Sequence, residues 1–137
     1  CRTQNNGSVA TSWSNDNGET WSEITFIDLP NNNSGIDGIT LKDGRHLLVY
    51  NHYRYIKGKR KERTPINVAI SNDGLHWKAA TILEDSPINQ YSYPSVIQGK
   101  DGKVHIVYTW RRQRIKYACL DSQQLEVTSF EEADWQE

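Results

Sequence analysis

The chain repeats itself at a period of about 57 residues, and self-similarity at such a spacing constrains the fold more than any other feature of the sequence. The stretch GITLKDGRHLLVY (38–50) returns as VIQGKDGKVHIVY (96–108). Ser14-Asn15-Asp16 returns as Ser71-Asn72-Asp73, and Trp21 as Trp77. Each copy reads as short strands. An apolar run leads into Asp43-Gly44 or Asp101-Gly102, a strong hairpin signal, and a second run follows at 46–50 or 104–108. After a polar loop comes a third run, at 66–70 or 115–120, and in the middle copy a fourth at 79–83. No segment sustains a helical period.

Four antiparallel strands recurring at this spacing match one blade of a β-propeller. The expected fold is therefore all-β, an incomplete β-propeller of about two and a half four-stranded antiparallel blades. The boundaries read as a half blade at 1–30, a blade at 31–86 and a blade at 87–130, with Asn31-Asn32-Asn33 and Ser86-Pro87 in the connections. That is fewer blades than a closed ring needs. The sequence has no methionine and no leader before Cys1, so it reads as part of a longer protein; a lipoprotein processed to Cys1 is the lesser reading. A formal net charge of −1 gives no field for nucleic acid, and no apolar run is long enough for a membrane span. Cys119 lies in an alternating strand and is expected to be a buried thiol, unpaired rather than bridged to Cys1. No compartment is assigned.

The two Asp-containing turns carry the most specific motif. Ser14-Asn15-Asp16-Asn17-Gly18-Glu19-Thr20-Trp21 is a complete Ser-x-Asp-x-Gly-x-Thr-Trp signature, and Ser71-Asn72-Asp73-Gly74-Leu75-His76-Trp77 is the same signature with one residue deleted. The Asp should accept backbone N–H bonds within the turn, and Gly should take positive φ. Trp21 and Trp77 should bury their rings against their own hairpins. Ser14, Asp16, Gly18 and Trp21, with Ser71, Asp73, Gly74 and Trp77, are thus structural staples. Neither box has calcium-loop spacing, and no histidine pair has metal-ligand spacing, so no metal and no cofactor are expected. His46, His76 and His105 read as structural.

With these boxes, the chain resembles the sialidase (neuraminidase) superfamily of Asp-box, or BNR-repeat, proteins, and its bacterial neuraminidase-like branch in particular. Further stretches carry the likeness: Asn33-Ser34-Gly35-Ile36-Asp37, Leu48-Val49-Tyr50-Asn51-His52, Thr64-Pro65-Ile66-Asn67-Val68-Ala69, and Tyr91-Ser92-Tyr93-Pro94 leading to Tyr108-Thr109-Trp110-Arg111-Arg112. The resemblance implies a six-bladed propeller, an arginine set that binds a sugar carboxylate, and a tyrosine nucleophile. Transferred to this chain, it makes Tyr91 or Tyr93 the catalytic phenol. Arg2, Asn33, Asp37, Asn51, His52, Arg111 and Arg112 become the substrate-binding residues. Strand direction puts all of these on the face opposite the Asp boxes. The structural alternatives are an extended, packed residue for Tyr93, which precedes Pro94, solvated loop residues for Arg111 and Arg112, and a loop hydrogen-bonder for His52.

The function expected from the resemblance is hydrolysis of a glycoside at a terminal acidic sugar. The alternatives are a polysaccharide lyase acting on a uronate-containing glycan, and a non-catalytic glycan- or protein-binding propeller. The basic run Lys57 to Arg63 reads as a solvated loop that would also attract an acidic glycan. The expected partners are an acidic glycan and either the missing blades or further copies through exposed blade faces. The chain alone, lacking part of the ring, is expected to be inactive.

Overall fold

The structure, a computed structural model, describes residues 1–4, 6–54, 63–88 and 90–135. Nine strands form three antiparallel sheets, with no α-helix among the described residues. The first sheet pairs β1 (Ser8–Thr11) with β2 (Thr25–Pro30). The second is a four-stranded meander of β3 (Asp37–Thr40), β4 (His46–Tyr50), β5 (Ile66–Ser71) and β6 (Trp77–Glu84). The third holds β7 (Tyr91–Gln98), β8 (Lys103–Trp110) and β9 (Arg114–Asp121).

The repeated Asp-Gly sequences fold into repeated turns. Gly44 and Gly102 take φ of 89° and 84°, a region that L side chains avoid. Asp43 Oδ1 accepts from the N–H of Arg45 at 3.0 Å, and Asp101 Oδ1 from that of Lys103 at 3.1 Å. The same chemistry at the same offset closes both hairpins.

The sheets stack face to face, as successive propeller blades do. Val9 and Leu29 of the first sheet meet Leu48, Tyr50 and Ala69 of the second. On the opposite side of the second sheet, Leu47, Val49, Ile66, Val68 and Ile70 meet Tyr91, Val96, Val104, Ile106 and Tyr108 of the third. Buried on both faces, β5 is therefore an almost unbroken apolar run rather than an alternating one. Polar ties add to this packing. Asp37 Oδ2 accepts from Val96 N–H at 2.8 Å, and Lys42 Nζ donates to the carbonyl of Gly99 at 2.8 Å.

After β9 the chain does not add a fourth strand to the third sheet. It crosses to the outer edge of the second, where Thr128 and Ala79 exchange backbone hydrogen bonds of 3.1 and 3.0 Å. A short turn follows. Ser129 Oγ accepts from Glu132 N–H at 3.2 Å while Glu132 Oε2 accepts from Ser129 N–H at 3.3 Å, a reciprocal cap. The turn delivers Phe130 and Trp135 to the cluster between the first two sheets.

Two burial expectations are overturned. Trp21 is 64% exposed and belongs to neither hydrophobic cluster, because no described residue packs on the outer side of the first sheet. Cys119 is exposed, as is Cys1, and both are free thiols. On β9 it is Ala118 and Leu120 that pack against the core, so Ile115, Tyr117 and Cys119 point the other way.

Candidate functional site

The Asp boxes behave as turn staples. Asp16 Oδ1 accepts from Thr20 N–H at 2.9 Å and from Ser14 Oγ at 2.7 Å. Donation from the Thr20 hydroxyl and amide holds its carboxyl down at about 2. Asp73 Oδ1 accepts from the N–H groups of Leu75 and His76, both at 2.8 Å. The His76 side chain and these amides hold Asp73 well below the usual carboxylate range. Both carboxylates are fully engaged in turn geometry.

At the other end of the strands, the connections after β2, β4, β6 and β8 come together. Tyr91 N–H donates to the Arg63 carbonyl at 2.8 Å, and Arg111 N–H to that of Gln90 at 2.6 Å. Asn51 Nδ2 bridges the carbonyls of Pro65 and Tyr91 at 2.7 and 3.1 Å. Four residues here adopt positive φ without being glycine: Asn33 at 68°, Tyr93 at 52°, Arg111 at 52° and Arg112 at 55°. Such outliers persist only where the surroundings impose them, and they gather at functional sites.

The sequence candidates divide sharply. Tyr91 is fully buried in the core between the second and third sheets, and its hydroxyl is buried without a partner among the described residues, so it offers no phenol to a ligand. Asn51 is buried between backbone carbonyls, and the Asp37 carboxylate is engaged by Val96. His52 is 2% exposed. Its Nδ1 lies 2.5 Å from Tyr50 Oη, and its ring is 4.9 Å from Phe130 and 5.2 Å from Trp135, centroid to centroid. Asn33 closes an Asx turn made by Asn31, its N–H donating to Asn31 Oδ1 at 2.8 Å. Arg111 stacks on Trp110 at 4.3 Å and reaches Ser86 Oγ at 3.3 Å. Arg112 is exposed and donates to Gln90 Oε1 at 2.8 Å.

Tyr93 is different. It is 57% exposed, and its left-handed backbone sits in a break of the β7–β8 register between Ser92 and Ser95, so the extended reading drawn from Pro94 fails here. The Arg63 guanidinium lies 5.2 Å from its ring centroid. Donation and positive charge from Arg63, and then from Arg2, hold the phenol below its ordinary value. Arg2 in turn donates to the Asn33 carbonyl at 3.4 Å. Gly35 makes room for the ring, since a Cβ there would stand 3.1 Å from Tyr93 Cδ1. Arg63 was hidden in the sequence as the last residue of the basic run; residues 57–62 of that run lie outside the described residues. Its place beside Thr64-Pro65, at the start of the third strand, was the available signal.

A family model for a BNR repeat-like domain matches residues 1–106. The chain belongs to the BNR repeat-like domain family. The match spans both Asp boxes, the first two sheets and most of the β7–β8 hairpin, and it includes Arg2, Arg63 and Tyr93. Arg111, Arg112 and the turn carrying Phe130 and Trp135 lie beyond the matched segment of this BNR repeat-like chain. No curated protein and no solved structure matches the chain. Among the described residues no cluster of three or more His, Cys, Asp or Glu is arranged to hold a metal ion, and no helix is long and apolar enough to cross a membrane.

Proposed function

We propose that this is the ligand face of a glycan-active protein that binds a terminal acidic sugar through Arg63 and Arg2 and acts on it with Tyr93 in sialidase fashion. The observation that carries this reading is the exposed phenol of Tyr93, fixed in a left-handed backbone and acidified by two guanidinium groups. A guanidinium fork suits a carboxylate, and the same cations make the phenolate available as a nucleophile at the anomeric carbon. Arg112, exposed on the neighbouring turn, extends the positive rim. The family match supports a glycan-related role without choosing the reaction.

The test is calorimetric binding of N-acetylneuraminic acid and of its methyl ester to this chain, followed by turnover of an aryl sialoside in a protein that also carries the blades needed to close the ring. Arg63→Ala should weaken binding of the free acid by about 10- to 100-fold, the loss of a charge-assisted contact. Tyr93→Phe should leave that binding within a few fold and abolish turnover. Equal affinity for the ester would overturn carboxylate recognition. A lyase would use the same tyrosine as a base, and ultraviolet-absorbing unsaturated products from a uronate polymer would assign that reaction instead.

A further inference from the structure

The turn between β8 and β9 gathers positive charge that the fold leaves uncompensated. Arg111, Arg112 and Arg114 follow Trp110 almost without interruption. The guanidinium carbons of Arg111 and Arg114 stand 4.3 and 5.0 Å from the centroid of the Trp110 ring, so two cations share one indole. A cation–π contact contributes only about 0.5–1 kcal/mol at an exposed site, and the two like charges repel. Among the described residues none of the three arginines forms an ion pair. The hydrogen-bond partners of their side chains are neutral: Ser86 Oγ for Arg111 at 3.3 Å and Gln90 Oε1 for Arg112 at 2.8 Å. Arg112 and Arg114 are exposed.

The turn stands next to the tyrosine site. Arg111 N–H donates to the Gln90 carbonyl at 2.6 Å, and Gln90 precedes Tyr93 by three residues, about 10 Å of extended chain. Across the hairpin, Ser92 is paired with Thr109, and Trp110 with both Tyr91 and Arg114. Tyr93 and the three arginines therefore share the end of the strands where the connections meet.

We propose that this turn is a second anion subsite of the ligand face, one that takes a carboxylate or sulfate ester carried by the sugar next to the terminal one. The proposal rests on the acidic-sugar reading of Tyr93 and Arg63 and narrows it: the substrate class is a glycan with acidic groups on neighbouring units, not an acidic cap on a neutral chain. A guanidinium group matches a pair of anionic oxygens with two parallel N–H donors. Stacking on Trp110 restricts Arg111 and Arg114 beforehand, so less side-chain freedom is lost when the anion arrives, and it explains why arginine rather than lysine stands here. A cationic ligand would be repelled. A nucleic-acid base would have to stack on an indole that the guanidinium groups already cover.

The experiment is a calorimetric titration of the whole chain at low salt with sialyllactose, which carries one acidic group, and with two ligands that carry a second. These are disialyllactose and a sialyllactose sulfated on its galactose. At least one of the two should bind about tenfold or more tightly than sialyllactose, and which one does so names the second group. Arg112→Gln and Arg114→Gln should each cut that advantage at least about fivefold, while Arg114→Gln should leave sialyllactose itself within about twofold. Lys100→Gln makes the same change of charge in the β7–β8 turn, at the far end of the sheet, and should leave the advantage intact. An advantage below about tenfold for both ligands would overturn the proposal, as would one that survives either arginine substitution or that Lys100→Gln removes equally. Sialyllactose alone reports on the Tyr93 reading. If it fails to bind while a doubly charged ligand binds through Arg114, the turn is a site and that reading falls; if it binds and the second charge adds nothing, the reading stands and the turn falls.

Discussion

Trp21 and Trp77 hold the same place in the same motif and donate the same bond, Nε1 to the carbonyl of Gly18 or Gly74, at 3.1 Å in each case. Their surroundings differ. Trp77 packs on the cluster of Leu48, Tyr50 and Ala69, whereas Trp21 stays 64% exposed. Truncation to alanine should therefore separate them. Trp77→Ala should cost about 2–4 kcal/mol and Trp21→Ala less than about 1 kcal/mol, read as the shift in urea midpoint at constant slope. Equal losses would show that the local motif, rather than the neighbouring sheet, carries the stability. The pair also marks what was legible at this scale. Hydrogen bonds inside a seven- or eight-residue turn are dictated locally, so the motif foretold them. Burial depends on which sheet arrives alongside, which no local pattern contains. Tyr91 and Tyr93 make the same point: strand alternation would send both to one face, but the break in register at Ser92 and Ser95 buries one and exposes the other.

The hairpin joining β8 to β9 is built against its own sequence. Arg111 and Arg112 both have positive φ, a conformation for which tight hairpins favour Asn-Gly. An ordinary side chain there costs roughly 1–2 kcal/mol per residue. Their replacement by Asn-Gly should raise stability by about 1–2 kcal/mol, measured by denaturant unfolding, while weakening acidic-sugar binding. A double variant that is both less stable and fully able to bind would refute a functional reason for two arginines in that turn. Strand positions were legible because Asp-Gly and apolar runs recur at one period. The turn at 129–135 was not, although Ser129 and Glu132 stand at capping-box spacing in the sequence, because a single turn is too short to register as helical periodicity.

Taken as a whole, the molecule is a stack of three sheets whose middle member is covered on both sides and whose outer members are each covered on one. The outer face of the third sheet carries Ile97, Val107, Ile115 and Tyr117, all substantially exposed; Val107 and Tyr117 are direct cross-strand partners. The outer side of the first carries Trp21, Ile24 and Phe26. Contiguous apolar surface of this kind drives association. The 137 residues on their own should therefore self-associate at tens of micromolar, and Val107→Lys with Ile115→Lys should shift the population toward monomer in light scattering. A monodisperse monomer of the unaltered chain at that concentration would show that these faces are benign.

The return of the chain from β9 to β6 has a temporal consequence. Phe130 and Trp135 follow all nine strands, yet they complete the cluster between the first and second sheets. A ribosome releases the chain in order, so the first two of the three sheets emerge with their shared seam still open to solvent and remain so until the residues beyond β9 appear. Folding during synthesis is thus not a simple addition of finished sheets; the seam between two sheets is sealed only after a later sheet has been made.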